Sequence, residues 1–244
     1  MTTVSSAEIK LVKSLAQKKF RDGHGLFVVE GEKLVEEALK SRFTVRKVYR
    51  TEEIGEVSMA RMSSLSSPSP VLATVERPAD LELALLPACG LFLALDGIRD
   101  PGNLGTILRI ADWFGINAVY ASPDTVDVFN PKVVQATMGA IFRVKFHYTD
   151  IPALCRSALQ AGGNVYGTFL DGENMYQKSL SNGVERPSVI VIGNEANGIS
   201  AATAACVSDR LYIPPFPTND PGSESLNAAV ATAITVAEFR RRTL

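Results

Sequence analysis

The segment LFLALDGIRDPGNLG, residues 91–105, decides the fold class that we predict for this chain of 244 residues. It joins a continuous apolar run, typical of a strand covered on both faces, to a loop that contains Gly102 and Gly105 and leads into a helix. The same order of strand, loop and helix recurs downstream. Alternating strands and helices predict an α/β fold with a mostly parallel six-stranded sheet flanked by helices, in which ligands bind at the carboxyl ends of strands.

Apolar periodicity and turn residues define the predicted elements. The strands after residue 90 are residues 91–95, 118–121, 144–147, 164–169, 188–192 and 211–213, and the helices are residues 103–114, 131–136, 151–161, 200–205 and 226–240. Upstream, a basic amphipathic helix follows Ser5, and then come a turn at residues 21–25, a strand at 26–30, a helix at 31–40 and a strand at 45–49. We therefore expect a small N-terminal α/β domain, residues 1–88, and a second domain, residues 89–244.

Composition is that of a globular protein, and the positive charge is concentrated in the N-terminal region. Apolar residues make up 46% and charged residues 21%, without an apolar run long enough for a membrane span or a secretory signal. Three scattered cysteines and two distant histidines predict neither a disulfide framework nor a metal site, and we expect a cytoplasmic protein. The net charge is −1, yet residues 1–50 hold 11 Lys and Arg against 6 Asp and Glu. Phosphate binding explains this excess, and so does a solvated surface.

The first two polar loops each allow a functional and a structural explanation. In the first, Asn103 is placed to cap the helix, and Arg109 follows in its second turn, where an arginine is commonly a solvated surface residue. The second loop, GNEANGI at residues 193–199, follows a buried strand. Because an unpaired carboxylate at the end of a buried strand is costly, we expect Glu195 to contact a ligand, a partner cation or helix-end amides.

The third polar segment, IPPFPTNDPGSESLN at residues 213–227, leads into a helix of small residues. Its prolines prevent a helix until Pro221 is passed, so Ser223 or Ser225 is expected to cap the helix that follows. A capped terminal helix packed on the sheet explains Ser225. It does not explain the polar amide of Asn227 so early in an apolar segment.

Together the three segments resemble the SpoU (TrmH) family of RNA 2′-O-ribose methyltransferases, within the SPOUT superfamily. The resemblance lies in DPGNLG followed by arginine at residues 100–109, in VIGNEANGI at 191–199, and in the third segment, which continues to residue 231. The proline-rich stretch 214–222 departs from the shorter spacer that we expect. More weakly, FVVEGEKLVEEA at residues 27–38 resembles the family's substrate-binding domain, which is similar to ribosomal proteins.

The resemblance implies a fold, a reaction and partners. It implies a trefoil knot in the C-terminal part and a homodimer with its active site near the interface. S-adenosylmethionine is then the methyl donor, and RNA, ribosomal rather than transfer RNA, is the substrate. The implied catalytic residues are Arg109, Asn103, Glu195, Ser225 and Asn227. The implied cofactor-binding residues are Thr168, Leu170, Gly193, Ile213 and Leu226.

The chemistry of Arg109 leaves two alternatives open. A guanidinium has a pKa above about 12, which makes it a poor base. It acts either as a perturbed base or as a clamp on the phosphate that also orients the 2′-hydroxyl, and its forked geometry favours the clamp. Glu195 is then expected to fix Arg109 or the second loop.

Two other functions compete with RNA methylation for a chain of this pattern. A nucleotide- or NAD-dependent α/β enzyme is disfavoured because the first strand–helix turn lacks the G-x-G-x-x-G pattern. A non-catalytic RNA-binding protein that kept the methyltransferase fold is disfavoured because all five implied catalytic residues are present.

Overall fold

The computed structural model describes residues 4–79, 86–217 and 224–242. Its helices are α1 (Ser6–Ser14), α2 (Lys18–His24), α3 (Glu32–Lys40), α4 (Thr51–Ile54), α5 (Glu56–Met62), α6 (Pro101–Trp113), α7 (Pro131–Thr137), α8 (Ile151–Gln160), α9 (Ala201–Ala204) and α10 (Ala228–Arg241). Its strands are β1 (Leu26–Glu30), β2 (Val45–Arg50), β3 (Val71–Glu76), β4 (Gly90–Asp96), β5 (Ala118–Ala121), β6 (Phe146–Tyr148), β7 (Asn164–Asn174), β8 (Pro187–Gly193) and β9 (Asp209–Tyr212).

The described residues form two compact units. The N-terminal unit consists of residues 4–79 together with Asp127–Arg143. The described residues of the C-terminal unit are 86–126, 144–217 and 224–242. The division into residues 1–88 and 89–244 stays a prediction, and it did not anticipate that Asp127–Arg143 packs with the N-terminal unit.

The C-terminal unit is built on a six-stranded sheet in the order β6-β5-β4-β8-β7-β9. Each neighbouring pair in this sheet is parallel, which confirms the predicted sheet of an α/β fold. Its central strands are apolar on both faces, and Phe92, Val165 and Val189 have no exposed surface. Because β4 and β8 are parallel neighbours with Asp96 opposite Gly193, the loops that follow them leave the sheet side by side.

The caps of two helices differ from the predicted ones. The N-cap of α6 is Asp100, whose carboxylate accepts a hydrogen bond from the backbone of Asn103 at 2.7 Å. Asn227 is the N-cap of α10, and its side-chain oxygen accepts from the backbone of the helix's second and third residues. The predictions that Asn103 caps the first helix and Ser225 the last were therefore wrong. The alternative cap, Ser223, lies outside the described residues.

Helices α6 and α10 lie side by side and run in the same direction. Near their N-termini, the Asn227 amide donates to the side-chain oxygen of Asn103 at 2.8 Å. Beyond the end of α6, the guanidinium of Arg240 donates to the carbonyl oxygens of Phe114 and Gly115, at 2.8 and 2.6 Å. Both ends of the helix pair are thus held by side-chain hydrogen bonds.

The N-terminal unit contains a three-stranded antiparallel sheet in the order β1-β3-β2. Its central strand, β3, was not predicted, and neither were α4 and α5. Residues 18–24 form helix α2 instead of the turn predicted at residues 21–25. The helix forms because Arg21 turns inward, and it ends at Gly25, whose φ of +63° is readily available to glycine.

A buried ion pair fastens the segment Asp127–Arg143 to the rest of the N-terminal unit. The Arg21 guanidinium donates to one Asp127 oxygen at 2.9 and 2.6 Å, and the side chains are 2% and 7% exposed. Arg21 also donates to the carbonyl oxygens of Leu15 and Ala16. Beside this pair the rings of Phe27 and Phe129 pack with their centroids 4.5 Å apart.

Within the described residues, no helix combines the length and the apolar character that crossing a membrane requires.

Replacing Asp127 tests this ion pair. Asp127→Asn leaves the Arg21 charge buried without a counter-charge, so we expect the free energy of unfolding to fall by about 3 kcal/mol. Urea denaturation measures the change. In the control Glu36→Gln, an exposed pair with Lys40 is broken, and the loss should stay below about 1 kcal/mol. Equal losses in the two variants would contradict the assigned role of the buried pair.

Candidate active site

The second loop folds back tightly at the end of β8. The backbone groups of Asn194 and Gly198 exchange two hydrogen bonds of 2.9 Å. A Cβ atom on Gly193 would lie 2.2 Å from the carbonyl carbon of Gly198, so only glycine fits there. This tight turn carries Glu195 at its tip.

Two polar contacts tie the second loop to the first. The Asn194 side-chain amide donates to the carbonyl oxygen of Gly97 at 2.7 Å. In the opposite direction, the carboxylate of Asp96 accepts from the backbone of Ser200 at 2.7 Å. Neither Asn194 nor Asp96 was predicted as a site residue. The available signal was their position, since each stands at the carboxyl end of a buried strand.

Glu195 binds the start of α6. Its carboxylate accepts from the Asn103 side-chain amide at 2.9 Å and from the backbone N–H groups of Asp100 and Arg99, at 3.2 and 3.3 Å. A ligand, a partner cation or helix-end amides were the predicted partners of Glu195. The observed contacts are with backbone amides at the start of a helix and with the side-chain amide of Asn103. Glu195 thereby holds the loop from which the helix of Arg109 begins.

The contacts of Glu195 keep its carboxyl group ionised. Burial by itself would raise the pKa, but the hydrogen bond from Asn103 and those from backbone N–H groups outweigh it, and the pKa of Glu195 lies below its ordinary value. A carboxylate whose oxygens already accept these bonds is a weak base. Its part in this site is therefore to position the first loop.

Asn103 connects all three polar segments. Its side-chain N–H group donates to Glu195 of the second loop, and its side-chain oxygen accepts from Asn227 at the start of α10. Asn103 is only 8% exposed, and both ends of its amide are bonded. The predicted residues Asn103, Glu195 and Asn227 therefore form one hydrogen-bonded chain, which we call the amide–carboxylate chain.

Arg109 and Ser225 are not part of the amide–carboxylate chain. The Arg109 side chain is exposed on α6, and it has no hydrogen-bond or ion-pair partner among residues 4–79, 86–217 and 224–242. Glu195 was expected to fix either Arg109 or the second loop. Among the described residues it makes no contact with Arg109 and binds the loop before the helix. Ser225 is also exposed and makes no hydrogen bond within the described part of the chain.

The residues expected to bind the cofactor are found at the same edge of the sheet or near the start of α10. Strands β7, β8 and β9 are neighbours. Gly193 is the last residue of β8, Ile213 follows the end of β9, and Thr168 is the residue of β7 after which its pairing with β9 shifts in register. Leu170 is 69% exposed, and Leu226, just before the cap of α10, is 49% exposed. These exposed apolar side chains fit a ligand with an apolar planar ring.

In the part of the chain that the structure describes, no three or more His, Cys, Asp or Glu side chains are arranged to hold a metal ion.

Sequence models of two known domains match the chain. That of the SpoU rRNA methylase family matches residues 90–237, and that of the MRM3-like substrate binding domain matches residues 6–76. The chain belongs to the SpoU rRNA methylase family. Membership confirms the resemblance drawn from the three segments. The roles of single residues and the trefoil knot stay predictions.

SpoU family relatives match along almost the whole chain. The 23S rRNA (guanosine(2553)-2′-O)-methyltransferase RlmP of Bacillus subtilis is 30% identical over 98% of either chain. A solved TrmH-family protein of Porphyromonas gingivalis is 39% identical with a TM-score of 0.86, covering 98% of this chain and 99% of that one. An AdoMet-bound rRNA methyltransferase of Sinorhizobium meliloti is 29% identical with a TM-score of 0.86, covering 100% of this chain and 98% of that one.

The cap of α10 yields a stability prediction for this SpoU family member. Asn227→Ala removes both the cap and the bond to Asn103, so the free energy of unfolding should fall by about 1–2 kcal/mol in a urea titration. Asn227→Asp keeps an oxygen for the cap and should cost less. Ser225→Ala is the control and should change stability by less than about 0.5 kcal/mol. A larger loss in Ser225→Ala than in Asn227→Ala would disprove the assigned cap.

Proposed function

We propose that the chain transfers a methyl group from S-adenosylmethionine to a ribose 2′-hydroxyl of ribosomal RNA. The observation that carries the proposal is the amide–carboxylate chain, which joins the three motifs of the family next to the helix of Arg109. Two relatives support it. The Bacillus subtilis protein, which aligns over the whole chain, is named as a 23S rRNA 2′-O-methyltransferase, and the Sinorhizobium meliloti structure is AdoMet-bound.

The residues at the carboxyl edge of the sheet suit the cofactor. Exposed Leu170 and Leu226 and half-buried Ile213 provide apolar surface for an adenine ring, and nearby backbone groups are available to read its edge. When bound, the sulfonium of the cofactor supplies the activated methyl group. The chain itself has to hold the RNA, align the 2′-hydroxyl and assist the loss of its proton.

Arg109 acts as the clamp on the RNA in this proposal. Its guanidinium stays charged at neutral pH and presents forked donors that match a phosphate. Because it is exposed and has no bonded partner among the described residues, these donors are free for the RNA backbone. Glu195, Asn103 and Asn227 are positioning residues, since they fix the start of the helix that carries Arg109. Ser225, exposed just before Asn227, completes the polar surface.

We further propose that the protein is a homodimer and works in the cytoplasm, where ribosomal RNA is available. Trp113 on α6 is 85% exposed and Val230 on α10 is 47% exposed. Exposed large apolar side chains on two adjacent helices are typical of a protein–protein contact. Arg109 lies one helical turn before Trp113, on the same face of α6, so a second copy that covers Trp113 would lie next to the clamp.

Arg109→Ala should strongly reduce methyl transfer. Loss of a group that aligns the substrate lowers turnover by about 10²- to 10⁴-fold, while binding of S-adenosylhomocysteine persists. Transfer of labelled methyl groups to purified ribosomal and transfer RNA measures the first quantity, and calorimetry the second. Arg186→Ala, at the opposite edge of the sheet before β8, is the control and should retain activity. A wild-type protein that binds RNA but transfers no methyl group would favour the non-catalytic alternative.

Trp113→Glu should convert the dimer into a monomer, because a carboxylate cannot be buried in an apolar contact without a partner. Sedimentation equilibrium distinguishes the two masses. Val57→Glu places the same charge on another apolar position that is 77% exposed, and the dimer should survive it. A Trp113→Glu protein that remains dimeric would rule out this face as the interface.

A further inference from the structure

The exposed surface of α1 and α2 in the N-terminal unit is strongly basic. Helix α1 buries its apolar face, and Ile9, Val12 and the capping Leu15 lie in the core. Their exposed side chains include Lys10, Lys13, Lys18 and Lys19. Ion pairs place Lys47 of β2 and Arg77 next to these helices. We call these six cations the basic patch.

The carboxylates within the basic patch are already neutralised. Glu8 is bonded to Lys47 and to the hydroxyl of Tyr49. Asp22 is bonded to Lys18 at 2.9 Å and to Arg77. These hydrogen bonds, from Lys47 and Lys18 foremost, lower the pKa of both carboxyl groups despite partial burial. Six cations therefore face two carboxylates, and Lys10, Lys13 and Lys19 have no carboxylate partner among the described residues.

Helices α3 and α4 of the same unit carry a net negative charge. Helix α3 presents Glu32, Glu36 and Glu37 against two lysines. Helices α4 and α5 add three more exposed glutamates, Glu52, Glu53 and Glu56. Helices α3 and α4 therefore offer a polyanion a less favourable surface than the basic patch does.

Helix α2 also presents an aromatic ring and is firmly anchored. The Lys19 ammonium lies 4.8 Å from the centre of the half-buried Phe20 ring. Arg21, the next residue, turns inward to Asp127, which fixes the helix while its lysines remain outside. Lysines on a rigid element bind phosphate with less loss of conformational freedom than lysines on a loose segment.

We propose that the basic patch is the surface through which this unit holds the phosphate backbone of ribosomal RNA. The inference rests on the proposed function for the identity of the RNA. Lysine ammonium groups are point charges without the forked geometry that reads base edges, so the patch supplies affinity and orientation. Choice of the nucleotide then rests with other contacts.

The proposal is tested in the full-length chain by removing positive charges from the basic patch and, as a control, from helices α3 and α5. Deleting the unit would be uninformative, because Asp127–Arg143 would lose its packing partners. The test variant carries Lys10→Gln, Lys13→Gln and Lys19→Gln. The control carries Lys33→Gln, Lys40→Gln and Arg61→Gln, which remove the same charge from exposed positions on α3 and α5. Circular dichroism establishes that both variants are folded.

Binding of purified bacterial large-subunit ribosomal RNA is measured by filter binding over a range of KCl concentrations. Three lost phosphate contacts should reduce the slope of log K against log salt by about 2–3 and weaken binding about 10- to 100-fold at low salt. The control should lose less than about threefold. Equal losses in the two variants, or wild-type affinity in the test variant, would overturn the proposed surface.

The methyl-transfer assay separates this inference from the proposed function. If the wild-type protein transfers methyl groups but the test variant keeps full RNA affinity, the patch is wrong and the function stands. If the test variant alone loses RNA binding while the wild-type protein shows no transfer, the patch stands and the proposed function fails.

Discussion

The site depends on one carboxylate that is held in place by amides of another loop. Parallel pairing of β4 and β8 brings their two loops to one edge, but it does not fix the loops against each other. Glu195 does this by accepting hydrogen bonds from the start of α6, and Asn103 extends the connection to the cap of α10. Asn103 and Glu195, 92 residues apart, and Asn103 and Asn227, 124 residues apart, thereby become parts of a single polar assembly.

The sheet was predictable because its signal is local. Each buried strand is a continuous apolar run bounded by turn residues, and the predicted strand at residues 118–121 coincides with β5. Parallel order followed from the alternation with helices. Helix starts were less predictable, since Asp100, Asn103, Ser225 and Asn227 are all residue types that cap helices and only backbone geometry distinguishes them.

The N-terminal unit was harder to predict because its structure depends on contacts between distant residues. Strand β3 pairs with both β1 and β2, and its own residues, VLATVE, carry no turn signal that separates them from the mixed stretch that follows. Helix α2 contains an Asp-Gly pair that favours a turn, and the inward contacts of Arg21 override this preference. Within the site, motif resemblance identified Glu195 and Asn103 as important, but their hydrogen bond to each other depends on the fold and could not be inferred from the motifs.

The placement of Asp127–Arg143 has a consequence for how such proteins can be recombined. The chain passes between the two units three times, so a single crossover near residue 88 does not separate them. A chimaera joined there would combine one parent's Arg21 with the other parent's segment and would depend on both parents having matching partners. Exchange of the N-terminal unit between relatives therefore needs three coordinated junctions, and we expect the two units to be inherited together.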